Sequence, residues 1–304
     1  VKSKSVVVIG AGIGGIVAAT HLARHGVKVV VVEKNAHAGG RCDRIERDGH
    51  YFDTGPTLLV MPRLYEAEFA ALGASMQERL DLQRVDPTYH LVFDNGSRLA
   101  LTSDMESLRG QLEGFESGSF QGLLRYMDEG RRHYDLGIQK LVKRDFRKAS
   151  DFFALENIPL LFQLKPLVNH YRNMSAYFDD PRLKAAFTFQ DVYMGLSPFD
   201  APATFSMMPY TELAHGVWYP KGGMYSVVEA LMDLARQAGV EFIFNSTVGN
   251  IDVNATYARS VNLVNGRHFE SDAVLANADL PYVYNNLLPR DGLAESLNRK
   301  RFSC

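Results

Sequence analysis

Cysteine is nearly absent: Cys42 and Cys304 are the two in 304 residues, too few and too far apart for a disulfide framework or a zinc site. That scarcity makes a reducing, intracellular compartment the default expectation. Charge of either sign is not in excess. The 33 Lys and Arg nearly balance 35 Asp and Glu, for a net charge of −2, so composition gives no reason to expect nucleic acid as a partner. No stretch approaches the roughly 18 apolar residues of a membrane-spanning helix. The opening VKSKS runs straight into a hydrophobic segment, with no secretory apolar region. Internal repeats and low-complexity tracts are missing as well. What remains is a chain able to bury a substantial core and long enough for two domains.

The first thing present is VVVIGAGIGGIVAATHLARHGVKVVVVEKN, Val6 to Asn35. Val6 to Ile9 reads as a strand buried on both faces. From Ile13 to His25 the period becomes helical, with Ile13, Val17, Ala18 and Leu22 on one stripe, and Gly26 suits the position after a helix C-terminus. Val27 to Val32 is a second buried strand, followed by Glu33. This is a β-α-β unit of about 30 residues. Its glycines, Gly10, Gly12 and Gly15, have the spacing G-x-G-x-x-G. Gly10 permits a tight turn, Gly12 lets backbone approach a pyrophosphate, and Gly15 lets helix and strand pack closely. The helix N-terminus offers free N–H groups to phosphates. Glu33 stands where an acid bonds a ribose hydroxyl and would repel a 2′-phosphate, which favours FAD or NAD over NADP.

Further on come NAHAGGRC (Asn35–Cys42) and YFDTGPTLL (Tyr51–Leu59). Arg41 follows the Gly39-Gly40 turn, and a planar guanidinium suits a diphosphate, although a surface ion pair with a nearby acid would also account for it. Gly55-Pro56 is a turn by composition.

These motifs together resemble the opening of the amine-oxidase-like flavoproteins. Within that superfamily, FTFQDVYMGLSPFDAPA (Phe187–Ala203), HGVWYPKGGM (His215–Met224) and LANADLPYVYNNLLP (Leu275–Pro289) resemble the phytoene desaturases, the fungal more than the bacterial. The resemblance implies non-covalently bound FAD, held at Gly10, Ala11, Gly12, Ile13, Gly14, Gly15, Glu33, Lys34, Gly40, Arg41, Gly55, Pro56 and Thr57. It also implies a backbone contact to the adenine side at Val248, which by itself reads equally as a packing valine. It implies desaturation of phytoene and partly desaturated carotenes by hydride transfer to flavin N5, at a membrane surface, with quinone or oxygen as the electron acceptor. No metal spacing is seen, and no catalytic base can be named. Two other readings keep the fold: a carotenoid isomerase or amine oxidase, and a prenyl-protein chaperone without flavin.

The expected fold is α/β: a Rossmann-like FAD-binding domain carrying an inserted, largely helical domain that faces substrate and membrane. The expected divisions are 1–72 for the nucleotide-binding core, 73–221 for the insertion, 222–285 for the return, and 286–304 as the start of a C-terminal part. The end, NRKRFSC, reads as the opening of another strand, and the resemblance implies that the C-terminal part of the family fold is missing. Strands are expected at Tyr89–Phe93, Arg98–Leu101, Val240–Phe244 and Ala273–Ala276, a helix over Gly222–Gly239, and a hairpin of Ser260–Val264 and Arg267–Glu270 about Asn265-Gly266. The stretch DFFALENIPLLFQLKPLV (Asp151–Val168) either lies in a membrane interface, with Lys165 reaching the headgroups, or is buried. Trp218 lines a tunnel wall or fills a core, and Lys221 faces the flavin ring or solvent. DEGRRHYDL (Asp128–Leu136) reads as a solvated mixed-charge face, and His133 and His215 as isolated.

Overall fold

The computed structural model describes residues 4–142, 144, 157–254 and 257–289. The chain divides into two compact units. The first comprises Val1–Leu59, Leu64–Gln83 and Tyr219–Cys304, and the second Val60–Arg63 and Arg84–Trp218.

The first unit is built on a four-stranded parallel sheet. Strand β1 (Ser5–Ile9) leads into helix α1 (Ile13–Arg24) and strand β2 (Lys28–Val32). Val7, Val8, Val29, Val31 and Val32 are almost wholly buried, as expected of parallel strands covered on both faces. Helix α2 (Tyr225–Gln237) packs on α1 and buries Val227, Val228, Leu231 and Ala235. It begins later than the Gly222 expected from sequence. Gly222 and Gly223 have φ of +91° and +89°, outside helical space, and the Asp53 carboxylate accepts the N–H of Met224 at 2.9 Å and of Tyr225 at 3.3 Å. Asp53 therefore serves as the missing cap.

Strand β3 (Glu241–Ile243) joins β2 in parallel, Val30 facing Glu241. Next comes an antiparallel sheet of β4 (Val248–Val253), β5 (Ala258–Leu263) and β6 (His268–Glu270). The last two form the hairpin expected about Asn265-Gly266. Strand β4 is not legible in the sequence, because only Val248 and Ile251 of VGNIDV are buried and the alternation breaks at a register shift. Strand β7 (Ala273–Ala276) then returns to lie parallel to β1, Val6 opposite Ala273 and Ile9 opposite Ala276. The sheet order is thus β7-β1-β2-β3.

A second hairpin, Arg44–Arg47 with His50–Asp53, also escapes the sequence reading. Its turn is Asp48-Gly49, both at positive φ (52° and 77°), the conformation that Asp-Gly favours. The first unit runs on to residue 83 rather than 72. Helix Pro62–Ala71 is tied back to α1 by His21 Nε2 and Glu68 Oε1, 2.6 Å apart, and Phe69, Leu72 and Met76 are buried.

The second unit is mostly helical. It holds the strand pair Tyr89–Val92 and Arg98–Leu101, helix Met105–Phe115 capped by Asp104, and the long helix Ser119–Leu136. Its core gathers Leu99, Leu108, Leu123, Phe178 and Phe187 around Tyr126. The long helix is not merely a solvated charged face. Asp128, Arg131, Arg132 and Asp135 do pair at the surface, but Glu129, His133 and Tyr134 are buried. Burial pushes the Glu129 carboxyl up, yet hydrogen bonds from Lys165 and Asn173 outweigh it and hold it below its usual value. Lys165 is thus paired with Glu129 and donates to Asn173 Oδ1 at 3.1 Å, as in the buried of the two alternatives the sequence leaves open for this stretch. No helix among the described residues is long and apolar enough to cross a membrane.

Candidate functional site: a dinucleotide cavity at the strand ends

A cavity of about 790 Å³ opens where β1, β2 and β7 end. Ligands of parallel α/β sheets bind outside the carboxyl ends of the strands. The cavity lies wholly within the first unit.

Its floor is the glycine loop. Gly10 leaves β1 with φ +97°, a conformation that side-chain-bearing residues rarely adopt. A Cβ on Gly15 would stand 2.1 Å from the Gly10 carbonyl oxygen, so helix and strand are packed backbone to backbone. Gly12 is the N-cap of α1 and provides no side-chain cap, which leaves the first-turn N–H groups directed to the cavity end of the helix. No acidic residue stands in that first turn to compete with an anion.

Glu33 is buried at the end of β2 and lines the cavity. Its two oxygens accept the N–H of Ala11 at 2.8 Å and of Asn35 at 2.9 Å. Each carboxylate oxygen keeps further acceptor capacity, so Glu33 can both fasten the loop and receive a ribose hydroxyl. The second glycine turn closes on the first: Gly39 N donates to Ala11 O at 2.9 Å, and a Cβ on Gly40 would lie 3.1 Å from Gly12 Cα. Arg41, next along, is highly exposed and pairs with Asp279 at 2.5 Å across the cavity mouth. Both residues line it, so of the two readings the sequence leaves open for Arg41 the structure shows the surface ion pair, at the cavity mouth.

The sequence-derived residues separate into two groups. Gly10, Gly12, Ile13, Gly14, Glu33, Lys34, Gly40, Arg41, Pro56 and Val248 line the cavity. Ala11, Gly15, Gly55 and Thr57 do not. Ala11 and Gly15 lie beneath the loop, and Gly55 supports it from behind, since a Cβ there would lie 1.9 Å from the Arg41 carbonyl oxygen. Thr57 is exposed and outside the lining. The cavity also recruits residues the sequence did not single out: Ser246 and Thr247 before β4, and Asn277, Ala278 and Asp279 after β7. The signals for the latter were their place at the end of a parallel strand and within the stretch Leu275–Pro289 that carries the resemblance.

Cys42 lines the cavity with a buried thiol that donates weakly to Met224 O at 3.7 Å. Burial first, then the Asp53 and Asp43 charges, push its pKa up to about 11. It is a neutral wall, not a nucleophile. Lys221 is exposed near Asp81 and is not part of the lining. Trp218 belongs to the second unit, where its Nε1 donates to His215 O at 3.0 Å and Arg84 lies over the ring. No cluster of ligating side chains suited to a metal occurs among the described residues.

The second unit contains a buried relay the sequence did not suggest. His170 meets the Asp191 carboxylate at 2.9 Å through Nδ1 and the Tyr126 hydroxyl at 2.8 Å through Nε2, and His170 and Asp191 are wholly buried. His133 is bonded to Ser206 at 2.7 Å and to Gln163 O at 2.8 Å, so it is a satisfied core histidine. Among the described residues, His215 is a buried histidine whose two ring nitrogens find no hydrogen-bond partner.

A glycine loop with open helix N–H groups, a buried acid at the second strand and an arginine at the mouth suit the adenosine diphosphate half of a dinucleotide. A sequence profile described as flavin containing amine oxidoreductase matches residues 13–300, and the chain belongs to that family. Within it, the chain is 41% identical over 305 residues to the phytoene desaturase of Fusarium fujikuroi, covering 99% of this chain and 54% of that protein. It is 40% identical over 299 residues to the zeta-carotene-forming phytoene desaturase of Myxococcus xanthus, covering 98% and 57%. The chain therefore spans about half the length of the curated relatives it matches. Among solved structures, a variant of putrescine oxidase matches with a TM-score of 0.67 at 16% identity, over 98% of this chain and 63% of that one. That likeness shows the fold: the α/β architecture of the amine-oxidase type.

Proposed function

We propose that this chain forms the FAD-holding part of an oxidoreductase that desaturates phytoene, and partly desaturated carotenes, toward lycopene-type products. The observation that carries the reading is the strand-end cavity with its glycine loop, buried Glu33 and exposed Arg41. The identity of about 40% to phytoene desaturases supports the substrate class.

FAD, when bound, supplies a two-electron acceptor for a hydride leaving a saturated carbon beside a double bond. The chain's own residues bind and orient. The N–H groups of the Gly12–Gly14 loop would receive the diphosphate, the α1 dipole would favour its charge, and Arg41 could balance it from the cavity mouth. Glu33 would take a ribose hydroxyl, and Val248, which lines the same cavity, would contact the adenine side through its backbone. None of this needs a strongly ionic reaction centre, because positioning a polyene against the cofactor supplies several kcal/mol, on the order of 7–11 at best.

The helical unit is, in this reading, the substrate- and membrane-facing insertion of the family fold. Phe162 and Leu167 are 80% and 98% exposed, beside half-exposed Val168 and Ile158. Such a patch suits peripheral attachment to lipid, the phase that holds an insoluble hydrocarbon. Phe152, Phe153 and Leu155 of the same apolar stretch lie outside the described residues. A membrane quinone or oxygen takes the electrons onward.

The test is expression of the full-length gene in a host that accumulates phytoene, with pigments separated by chromatography, and purification of the protein for its flavin absorbance. Coloured carotenes and a yellow protein are expected. A colourless protein, or a flavoprotein that leaves phytoene untouched while oxidising polyamines, would end this reading.

A further inference from the structure

The glycine loop is occupied from above by a side chain of the chain itself. An ideal Cβ on Gly12 would lie 3.1 Å from Asn277 Nδ2, on Gly14 2.9 Å from Asn277 Oδ1, and on Gly15 3.0 Å from Asn277 Nδ2. The carboxamide of Asn277 thus rests on Gly12, Gly14 and Gly15 of the loop. The small residues there leave room for this amide as well as for an approaching phosphate.

Asn277 is held by backbone. It follows β7, and its N–H donates to Ile9 O at 2.8 Å, continuing the parallel register of β7 with β1. Its position over the loop is therefore set by the sheet and not by its own side-chain bonds. The carboxamide has no protein hydrogen-bond partner among the described residues, and it lines the cavity. An amide carries two N–H donors and an acceptor, and here they are presented to the cavity. The group is neutral, so it adds donors to the helix N-terminus without bringing a competing charge. The nearest carboxylate along the chain, Asp279, is engaged by Arg41.

We infer that Asn277 is a diphosphate-binding residue: its side-chain N–H joins the backbone N–H groups of the Gly10–Gly15 loop in holding the phosphates of the dinucleotide. This rests on the reading of the cavity as an FAD site. Aspartate at the same place keeps the shape but sets a negative charge against the phosphates, whereas alanine removes the carboxamide without adding charge.

The experiment titrates FAD into apoprotein prepared from the full-length wild type, Asn277→Ala and Asn277→Asp, following flavin fluorescence at low and high salt. Apoprotein melting temperatures are recorded alongside. Asn277→Ala is expected to weaken FAD binding by about tenfold, the size of one lost charge-assisted hydrogen bond. Asn277→Asp is expected to weaken it further, with a loss that shrinks as salt rises. Affinity within about twofold of wild type in both variants overturns the inference. So do equal losses in the two that ignore salt, which belong to packing alone. If Asn277→Asp does not fold, Asn277→Ala decides by itself, unchanged affinity being the contrary result. Failure of the wild type to bind FAD would instead strike the reading of the cavity.

Discussion

Glu33 Oε2 accepts the Ala11 N–H at 2.8 Å, so the end of β2 is bonded directly to the turn that leaves β1. The two halves of the nucleotide site are fixed to each other through one buried carboxylate. Glu33→Ala should remove both this bond and that to Asn35, and cost about 1.5–3 kcal/mol for each charged hydrogen bond lost, before relaxation. Glu33→Gln should retain part of the stability, because its amide oxygen accepts one of the two. Denaturant melts of apoprotein, paired with FAD titrations, separate the fastening role from the ribose role: the glutamine variant should keep more stability than affinity.

Two glycines make a contrasting pair. A Cβ on Gly15 would meet the Gly10 carbonyl oxygen at 2.1 Å, and backbone on both sides cannot move aside without parting α1 from β1. Gly15→Ala should therefore leave little soluble, folded protein. Gly26 has φ +79° and nothing within 4 Å of an added Cβ, so Gly26→Ala should cost only about 1 kcal/mol of backbone strain. Yield and thermal melting of the two variants check the difference.

Cys42 gives a pH signature. Its thiol rises from 9.0 to about 11 in the folded chain, through burial and then the charges of Asp53 and Asp43. The native state then holds a proton that the unfolded state releases. Its contribution is fully present below about pH 9 and is lost as pH climbs toward about 11. Wild-type stability should fall across that window more steeply than that of Cys42→Ser. At neutral pH the native thiol should also resist thiol reagents that label the unfolded chain rapidly.

In the helical unit, Asp191 is wholly buried against His170. Asp191→Ala would strand the buried His170 Nδ1 without a partner, and a loss of about 1–3 kcal/mol is expected. Urea unfolding measures it. A variant as stable as wild type would mean that the relay contributes nothing to the fold.

Phe162 and Leu167 are exposed, so charges there should leave folding alone. Phe162→Asp with Leu167→Asp should retain the wild-type melting temperature but lose sedimentation with liposomes. Val264→Asp, at an equally exposed valine in the other unit, serves as the control and should change neither.

The nucleotide half of the fold was legible because its signals are local. Glycines at fixed spacing, a run of valines and an acid after the second strand describe a turn, a buried strand and a hydrogen-bonding partner without reference to the rest of the chain. The hairpin about Asn265-Gly266 and the strand Ala273–Ala276 were legible for the same reason. Asp48-Gly49 carries the same turn chemistry, but its flanking residues do not alternate buried with exposed: Ile45, Tyr51 and Phe52 are all exposed.

What sequence could not supply was the meeting of distant segments. Asp53 capping α2, Asp279 facing Arg41, Lys165 turning inward to Glu129, and His170 between Tyr126 and Asp191 all join residues separated by tens to hundreds of positions. Hydrogen bonds and ion pairs act over a few ångströms of space, and separation along the chain does not encode that distance. The sequence by itself determined the nucleotide loop, since turn chemistry and periodicity are properties of neighbouring residues. Only the parallel register of β7 on β1 decided that Asn277 lies over that loop.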